Sequence, residues 1–186
     1  LQVSEDNPAL VLASGSPRRL QLLARLGIVP QSVDTADIDE TPLNGELPRP
    51  YAARMALEKV AAVAARHTAC FVLGGDTVVA AGRRILPKAD DAETARACLK
   101  LLSGRRHRVL SAVALVSPGG QIRSAISETI LKFKRLGAAE IDAYVASGEP
   151  FGKAGAYAIQ SAFAAWVERI RGSHSGIMGL PLFETA

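Results

Sequence analysis

Residues 13–19, "ASGSPRR", crowd two hydroxyls, a proline and two guanidinium groups into one short stretch. The apolar run "ALVLA" leads into it and a leucine-rich segment leaves it. Ser16 stands where an N-cap stands, with Pro17 at the first helical position. A helix N-terminus carries free backbone N–H groups and roughly +0.5 charge. Arg18 and Arg19 in the first turn oppose that dipole, a cost that an anion between them would remove. Two readings stand at this point: a capped helix with solvated arginines, or an anion cradle. Neither GxxxxGK[ST] nor GxGxxG occurs, so a phosphate here would be held by another kind of loop.

Gly74-Gly75-Asp76-Thr77 is the second stretch with chemical content. A carboxylate at the end of an apolar strand, beside glycines that permit close approach, suits a metal ligand or a general base. A turn-capping aspartate has the same pattern. Asp37, Asp39 and Glu40 fall in a non-helical segment. One of them could share a divalent cation with Asp76, or all three could line a solvated acidic loop. Lys59, Lys88 and Lys153 each read, taken singly, as surface lysines. His67, His107 and His174 are scattered and suggest no metal site. No nucleophile elbow or Ser/His/Asp order is present, so Ser16 is not marked as a nucleophile.

These groups need a scaffold, and the rest of the chain supplies one. It has 186 residues, 48% hydrophobic and only 5% aromatic, with mean hydropathy +0.16. Disorder is excluded by that balance, and the core must be built from Ala, Val, Leu and Ile. The net charge of +4 favours an anionic ligand, and arginine, which supplies most of the positive charge, suits forked recognition of phosphate. Cys70 and Cys98 lack CxxC spacing and read as buried thiols in a reducing compartment. No apolar stretch reaches the roughly 18 residues of a membrane span. No signal segment is apparent, so a soluble cytoplasmic protein is expected, with residues 1–8 as a tail.

"ALVLAS" reads as a buried strand. The helix after Ser16 turns Leu20, Leu23 and Leu26 inward, with Leu22 beside them, and stops at Gly27. Residues 29–50 read as a short strand and a long ordered loop. "YAARMALEKVAAVAARH" and "DDAETARACLKLLSG" read as helices, the second one capped. "HRVLSAVALVSPGGQIRSAISETILKFKRL" reads as two long strands joined by a Pro-Gly-Gly turn. "GAAEIDAYVASGE" is a short helix, and the glycine-rich C-terminal part is mostly extended, with a helix beginning at Pro181. Strands interleaved with helices predict an α/β fold with a mixed sheet.

In order, "LASGSPRRLQLL", "ADIDETP", "LEKVA", "GGDTVV", "LPKA", "LSGRRHRV", "GKAGAYAIQ" and "GSHSGIMGLPLFET" resemble the Maf family of septum-formation-inhibitor-like nucleotide pyrophosphatases, over about residues 9–185. The resemblance implies an elongated mixed sheet flanked by helices, with residues 9–186 forming one domain of two lobes around a central cleft, similar to inosine-triphosphate pyrophosphatases. It implies a metal-dependent hydrolase that cuts a nucleoside triphosphate into the monophosphate and pyrophosphate. Ser14, Arg18, Arg19, Lys59 and Lys88 would then hold phosphate. Asp76 would be the catalytic carboxylate, and Glu40 would help it hold Mg²⁺, Mn²⁺ or Co²⁺. Arg18, Thr77 and "AYAIQ" look like the branch acting on dTTP, UTP and modified pyrimidine triphosphates, in which positions matching Arg19, Thr77 and Gln160 are linked to specificity. An amide such as Gln160 can donate and accept at one pyrimidine edge.

The chain departs from the family's pattern at three points. Ala158-Ile159-Gln160-Ser161 replaces "GIQG", which stiffens that loop. Gly172-Ser173-His174-Ser175 replaces "GSYS", and Ala89 follows Lys88 where proline is usual. Family members are often dimers, so a homodimer is compatible with the resemblance. A non-catalytic nucleotide- or nucleic-acid-binding regulator of cell division is the competing reading. Three Tyr and one Trp, spread along the chain, make no stacking platform, so no stable nucleic-acid complex is expected.

Overall fold

A computed structural model describes residues 8–186. All but the last residue of the expected tail over 1–8 lies outside the described residues. The chain passes through β1 (Leu10–Ala13), α1 (Pro17–Arg25), β2 (Ser32–Val33), α2 (Pro48–Ala64), β3 (Phe71–Ala81) and β4 (Arg84–Leu86). It continues through α3 (Ala92–Leu102), β5 (Arg106–Val116), β6 (Ile122–Phe133), α4 (Ala138–Ala146), a 3-10 turn (Ala162–Trp166), β7 (Val167–Arg171), α5 (His174–Met178) and α6 (Leu182–Thr185). The strands form one mixed sheet in the order β2-β1-β3-β5-β6-β7, with β4 also paired to β3. β1 is parallel to β2 and β3, and the remaining pairs are antiparallel.

Helices cover both faces of the sheet. On one face α2 buries Tyr51, Ala52, Met55, Ala56, Val60 and Val63 against Val11, Val72, Val78 and Leu110. On the other, α1, α3, α4 and α5 pack Leu22, Leu99, Ile141 and Met178 around Leu131 and Phe133. This second core holds an edge-to-face cluster of His107, Phe133, Tyr157 and Phe163.

The local expectations hold with specific exceptions. Leu22 and Leu23 are fully buried in α1, whereas Leu20 is 40% exposed, because the core lies one position round from the expected stripe. Ser16 has the extended N-cap backbone, but its side chain makes no capping bond. α2 begins at Pro48 rather than Tyr51. Asp76 lies in the middle of an eleven-residue strand, not at a strand end. The extended C-terminal part also contains α5, capped by Ser173, whose hydroxyl accepts from Gly176 N at 2.9 Å. Cys98 is buried as expected, while Cys70 is only half-buried.

The sheet opens a site by what it leaves out. β1 runs beside β3 only as far as the pair Ala13 and Gly74, and then departs into α1. β4 joins that same edge of β3 only at Val79. Between them, Gly75 to Val78 have no strand neighbour on this side, although β5 pairs with them on the other. The chain leaves β1 toward α1 on one face and returns through α2 on the other. The gap is therefore the switch point of an α/β sheet, outside the carboxyl end of a parallel strand, where such folds place ligands.

Candidate active site

Each side of the gap carries its own chemistry. Asp76 and Thr77 are consecutive, so they point to opposite faces of β3. Asp76 faces α2 and Thr77 faces α5, at the free edge. Gly74 brings α2 down onto this strand: a Cβ there would lie 2.7 Å from Val60 Cγ1. Gly75 answers to β5, since a Cβ there would lie 2.4 Å from Ala112 O. The two glycines thus serve packing within the protein, rather than the approach of a ligand.

Lys59 precedes Val60 and lies on the buried stripe of α2, only 8% exposed. A buried ammonium requires partners. Its Nζ is 2.7 Å from Asp76 Oδ1 and 3.0 Å from Glu40 Oε1. Glu40 Oε2 lies 3.0 Å from Lys88 Nζ. The four side chains make an alternating ladder, Lys88–Glu40–Lys59–Asp76. Burial pushes the Glu40 carboxyl upward, but hydrogen bonds from Lys59 and Lys88 outweigh it and hold it below its ordinary value. Glu40 comes from the loop before α2, and that loop is tied down. Tyr51 OH donates to Glu40 O at 2.6 Å. Arg54 grips Glu46 through Nε and Nη2 at 2.8 and 2.7 Å. Asp39 Oδ1 accepts from Thr41 N at 2.8 Å, and neither Asp37 nor Asp39 lines the cleft described next.

The opposite wall is cationic. Ser14 Oγ accepts from Ser16 N at 3.2 Å and from Arg19 Nη1 at 2.9 Å. Arg19 Nε donates to Gly179 O at 2.8 Å. The Arg19 fork is therefore clamped at two points, and burial pulls its guanidinium below the ordinary value, against the attraction of Asp76. Arg18 makes no hydrogen bond or ion pair among the described residues. Lys153, expected at the surface, instead joins this wall. Its Nζ donates to Glu149 O, and burial, then Arg18, lower its basicity. The loops bearing Lys88 and Lys153 are zipped together: Ala89 N donates to Lys153 O at 3.2 Å, and Gly152 N to Ala89 O at 2.9 Å. A proline at Ala89 could not make the first of these bonds.

The nine residues that the resemblance assigns to the site, Ser14, Arg18, Arg19, Glu40, Lys59, Asp76, Thr77, Lys88 and Gln160, line one cleft of about 490 Å³. Lys59 sits there between Glu40 and Asp76, and Lys88 pairs with Glu40 alone, so their positive charge is shared between the acids and whatever enters. Gln160 is exposed at the rim, and Ser161 Oγ braces its loop by donating to Ala158 O at 2.9 Å. The sequence reading placed Lys153 at the surface and passed over Gly179 and Tyr51. The run "GKAGAY" carried a signal for Lys153. Nothing local marked Gly179 or Tyr51, because each acts on a residue remote in sequence. Gly179 has φ 127°, a backbone that turns its carbonyl toward Arg19 and favours glycine.

The carboxylates also decide what ion could bind. Among the described residues no group of three or more His, Cys, Asp or Glu side chains gathers to cage a metal. Glu40 and Asp76 already share one ammonium, so a single small cation can serve both. Two carboxylates with open positions suit a hard, oxygen-seeking divalent cation whose shell is completed by water and phosphate.

A family profile described as Maf-like protein matches residues 9–186. The dTTP/UTP pyrophosphatase of Novosphingobium aromaticivorans is 62% identical over 183 residues, covering 97% of this chain and 90% of the relative. The dTTP/UTP pyrophosphatase of Rhodospirillum rubrum is 61% identical over 178 residues, covering 95% and 84%. Among solved structures, a nucleoside-triphosphatase / dITP/XTP pyrophosphatase from Mycobacterium abscessus resembles the chain with TM-score 0.44 and 19% identity, over 70% of this chain and 75% of that one.

Proposed function

The chain belongs to the Maf-like protein family, and on that premise we propose that it is a nucleoside triphosphate pyrophosphatase acting on dTTP, UTP and modified pyrimidine triphosphates. Its role is to remove non-standard nucleotides from the cytoplasmic pool. One observation carries the reading: Arg18, Arg19 and Lys153 face the Glu40–Lys59–Asp76 wall across a single cleft. A site built only to bind anions has no use for two carboxylates beside its cations, even paired with lysines as Glu40 and Asp76 are. The names of the close relatives point the same way.

Arg18, Lys153 and Lys88 bind the triphosphate and offset its charge. Asp76 holds a water in line with the α-phosphorus and takes its proton as the new P–O bond forms. The bond from the α-phosphorus to the bridging oxygen breaks, and pyrophosphate leaves with the electron pair toward the cationic wall. Lys59 keeps Asp76 oriented between turnovers. Glu40 and Asp76 would hold a divalent cation, Mg²⁺, Mn²⁺ or Co²⁺. When bound, such an ion supplies neutralisation of phosphate charge and a more acidic water. Arg19, Thr77 and Gln160 select the base.

The test is product analysis. The protein is incubated with dTTP, UTP, dCTP and GTP in the presence of Mg²⁺ or Mn²⁺. Monophosphate and pyrophosphate from dTTP and UTP are expected. Free phosphate, or binding with no turnover, would overturn the assignment.

A further inference from the structure

Thr77 stands beside Ser111 on β5, its direct cross-strand partner. Thr77 Oγ1 lies 3.3 Å from Ser111 Oγ and 3.4 Å from Gly179 O. A carbonyl can only accept, so Thr77 donates its single hydroxyl proton to Gly179 O. Ser111 is 1% exposed, and its hydroxyl has no other side-chain partner among the described residues. A buried hydroxyl is seldom left unpaired, so Ser111 Oγ donates to Thr77 Oγ1. Thr77 then keeps one lone pair, and it lines the cleft. Toward a ligand it is an acceptor.

Arg19 beside it has the opposite character. Nε is spent on Gly179 O and one Nη1 proton on Ser14. The fork has further N–H groups and no acceptor at all. The floor of the cleft around Gly179 therefore offers a donor next to an acceptor. Uracil and thymine present a carbonyl oxygen next to N3–H, which complements that pair. In the same register, with N3 at Thr77, cytosine presents an amino group to Arg19 and an unprotonated N3 to Thr77, which reverses both. Gln160 cannot make this choice, because its amide can rotate to serve either base.

We propose that Ser111 is a positioning residue for base selection: held behind the site on β5, it polarises the Thr77 hydroxyl into an acceptor that receives N3–H of uracil or thymine and refuses cytosine. This rests on the pyrimidine-triphosphate reading of the cleft. Ser111 is buried and does not itself line the cleft.

The experiment compares Ser111→Ala, Ser111→Thr and Ser111→Val, measuring kcat and KM for dTTP, UTP and dCTP through released pyrophosphate. Thr and Val have nearly the same volume, so their difference isolates the hydroxyl. In the Ala and Val variants the preference for dTTP over dCTP in kcat/KM is expected to fall roughly tenfold, chiefly through KM, as when one polar contact to a base is lost. Ser111→Thr is expected to keep the parent preference. Thermal melts identify a variant that fails to fold, and Ser111→Ala decides should Val not fit. An unchanged preference in all folded variants, or an equal loss on every base, would overturn the role of Ser111 while leaving the pyrophosphatase reading intact. Failure of the parent protein to hydrolyse any of the three would overturn that reading, and the Ser111 assignment with it.

Discussion

Lys59 Nζ lies 2.7 Å from Asp76 Oδ1, and both residues are buried, at 8% and 7% exposure. A buried ion pair is a weak source of stability, since desolvation of both ions offsets their attraction. The pair is better understood as a means of fixing the position of a carboxylate in the wall of the cleft. Glu40, the second acid on the same ammonium, completes the unit at 3.0 Å.

Asp76→Asn is therefore expected to lower kcat by roughly 100-fold or more, the scale of a lost general base. The fold should survive, because Lys59 keeps Glu40 at 3.0 Å. Steady-state kinetics and a thermal melt on the same sample check both halves. Near-parent kcat would move the catalytic role to another residue.

The glycines of β3 make a graded prediction. Gly74→Ala meets a movable methyl of Val60 at 2.7 Å, and Gly75→Ala meets the backbone oxygen of Ala112 at 2.4 Å. Overpacking of this kind costs about 1–3 kcal/mol, and Gly75→Ala should be the more severe because backbone yields less. Gly74→Ala should also reduce kcat by lifting Lys59 away from Asp76. Urea midpoints and rates measure the two effects separately.

His107 is 2% exposed, and Nε2 lies 3.0 Å from Tyr157 OH. Burial lowers its pKa to about 4, despite the pull of the Arg105 backbone carbonyl on the ring N–H, which raises it. The folded state thus binds a proton less readily than the unfolded state, whose histidine titrates near 6.5. The stability associated with neutral His107 is fully present above about pH 6.5. It is lost as pH falls from there toward 4, by about 3 kcal/mol in total. Denaturation midpoints across that range should show the slope, and His107→Gln should flatten it.

Arg18 has no partner among the described residues, so its removal should weaken ligand binding without disturbing the fold. Arg18→Ala is expected to raise KM for the triphosphate roughly tenfold, with a smaller effect on the melting temperature, because a charge-assisted phosphate contact is lost. A reduced dependence of KM on ionic strength should accompany it. An unchanged KM would place the phosphates elsewhere in the cleft.

Much of the fold was legible because it is written in local patterns. The run ending at Ala13, the proline at position 17, the periodicity of α2 and α3, and the Pro-Gly-Gly turn between β5 and β6 each act within a few residues. Asp76, Glu40 and the Arg18–Arg19 pair stood out by type and position, whereas Ser14, Lys59, Lys88, Thr77 and Gln160 were named only through the resemblance to the Maf family. Lys59 carried a clearer sign than its reading as a surface lysine used: it falls on the stripe of Met55, Val60 and Val63, where an ammonium must find acids. The placement of Asp76 at a strand end failed because β3 continues through polar residues when β5 supports its far edge.

The sequence by itself determined the α/β class, the helix launched at Pro17, and which side chains could bear charge in a site, because periodicity and capping are set over a few residues. Only the tertiary structure decided that β1 stops at Ala13 while β3 runs on, leaving Gly75 to Val78 open as the floor of a cleft. It also decided that Arg19 is clamped by Gly179, that Lys153 joins the cationic wall, and that Ser111 backs Thr77. Those relationships span tens to more than a hundred residues, and they exist only once the sheet's order and register bring the strands together.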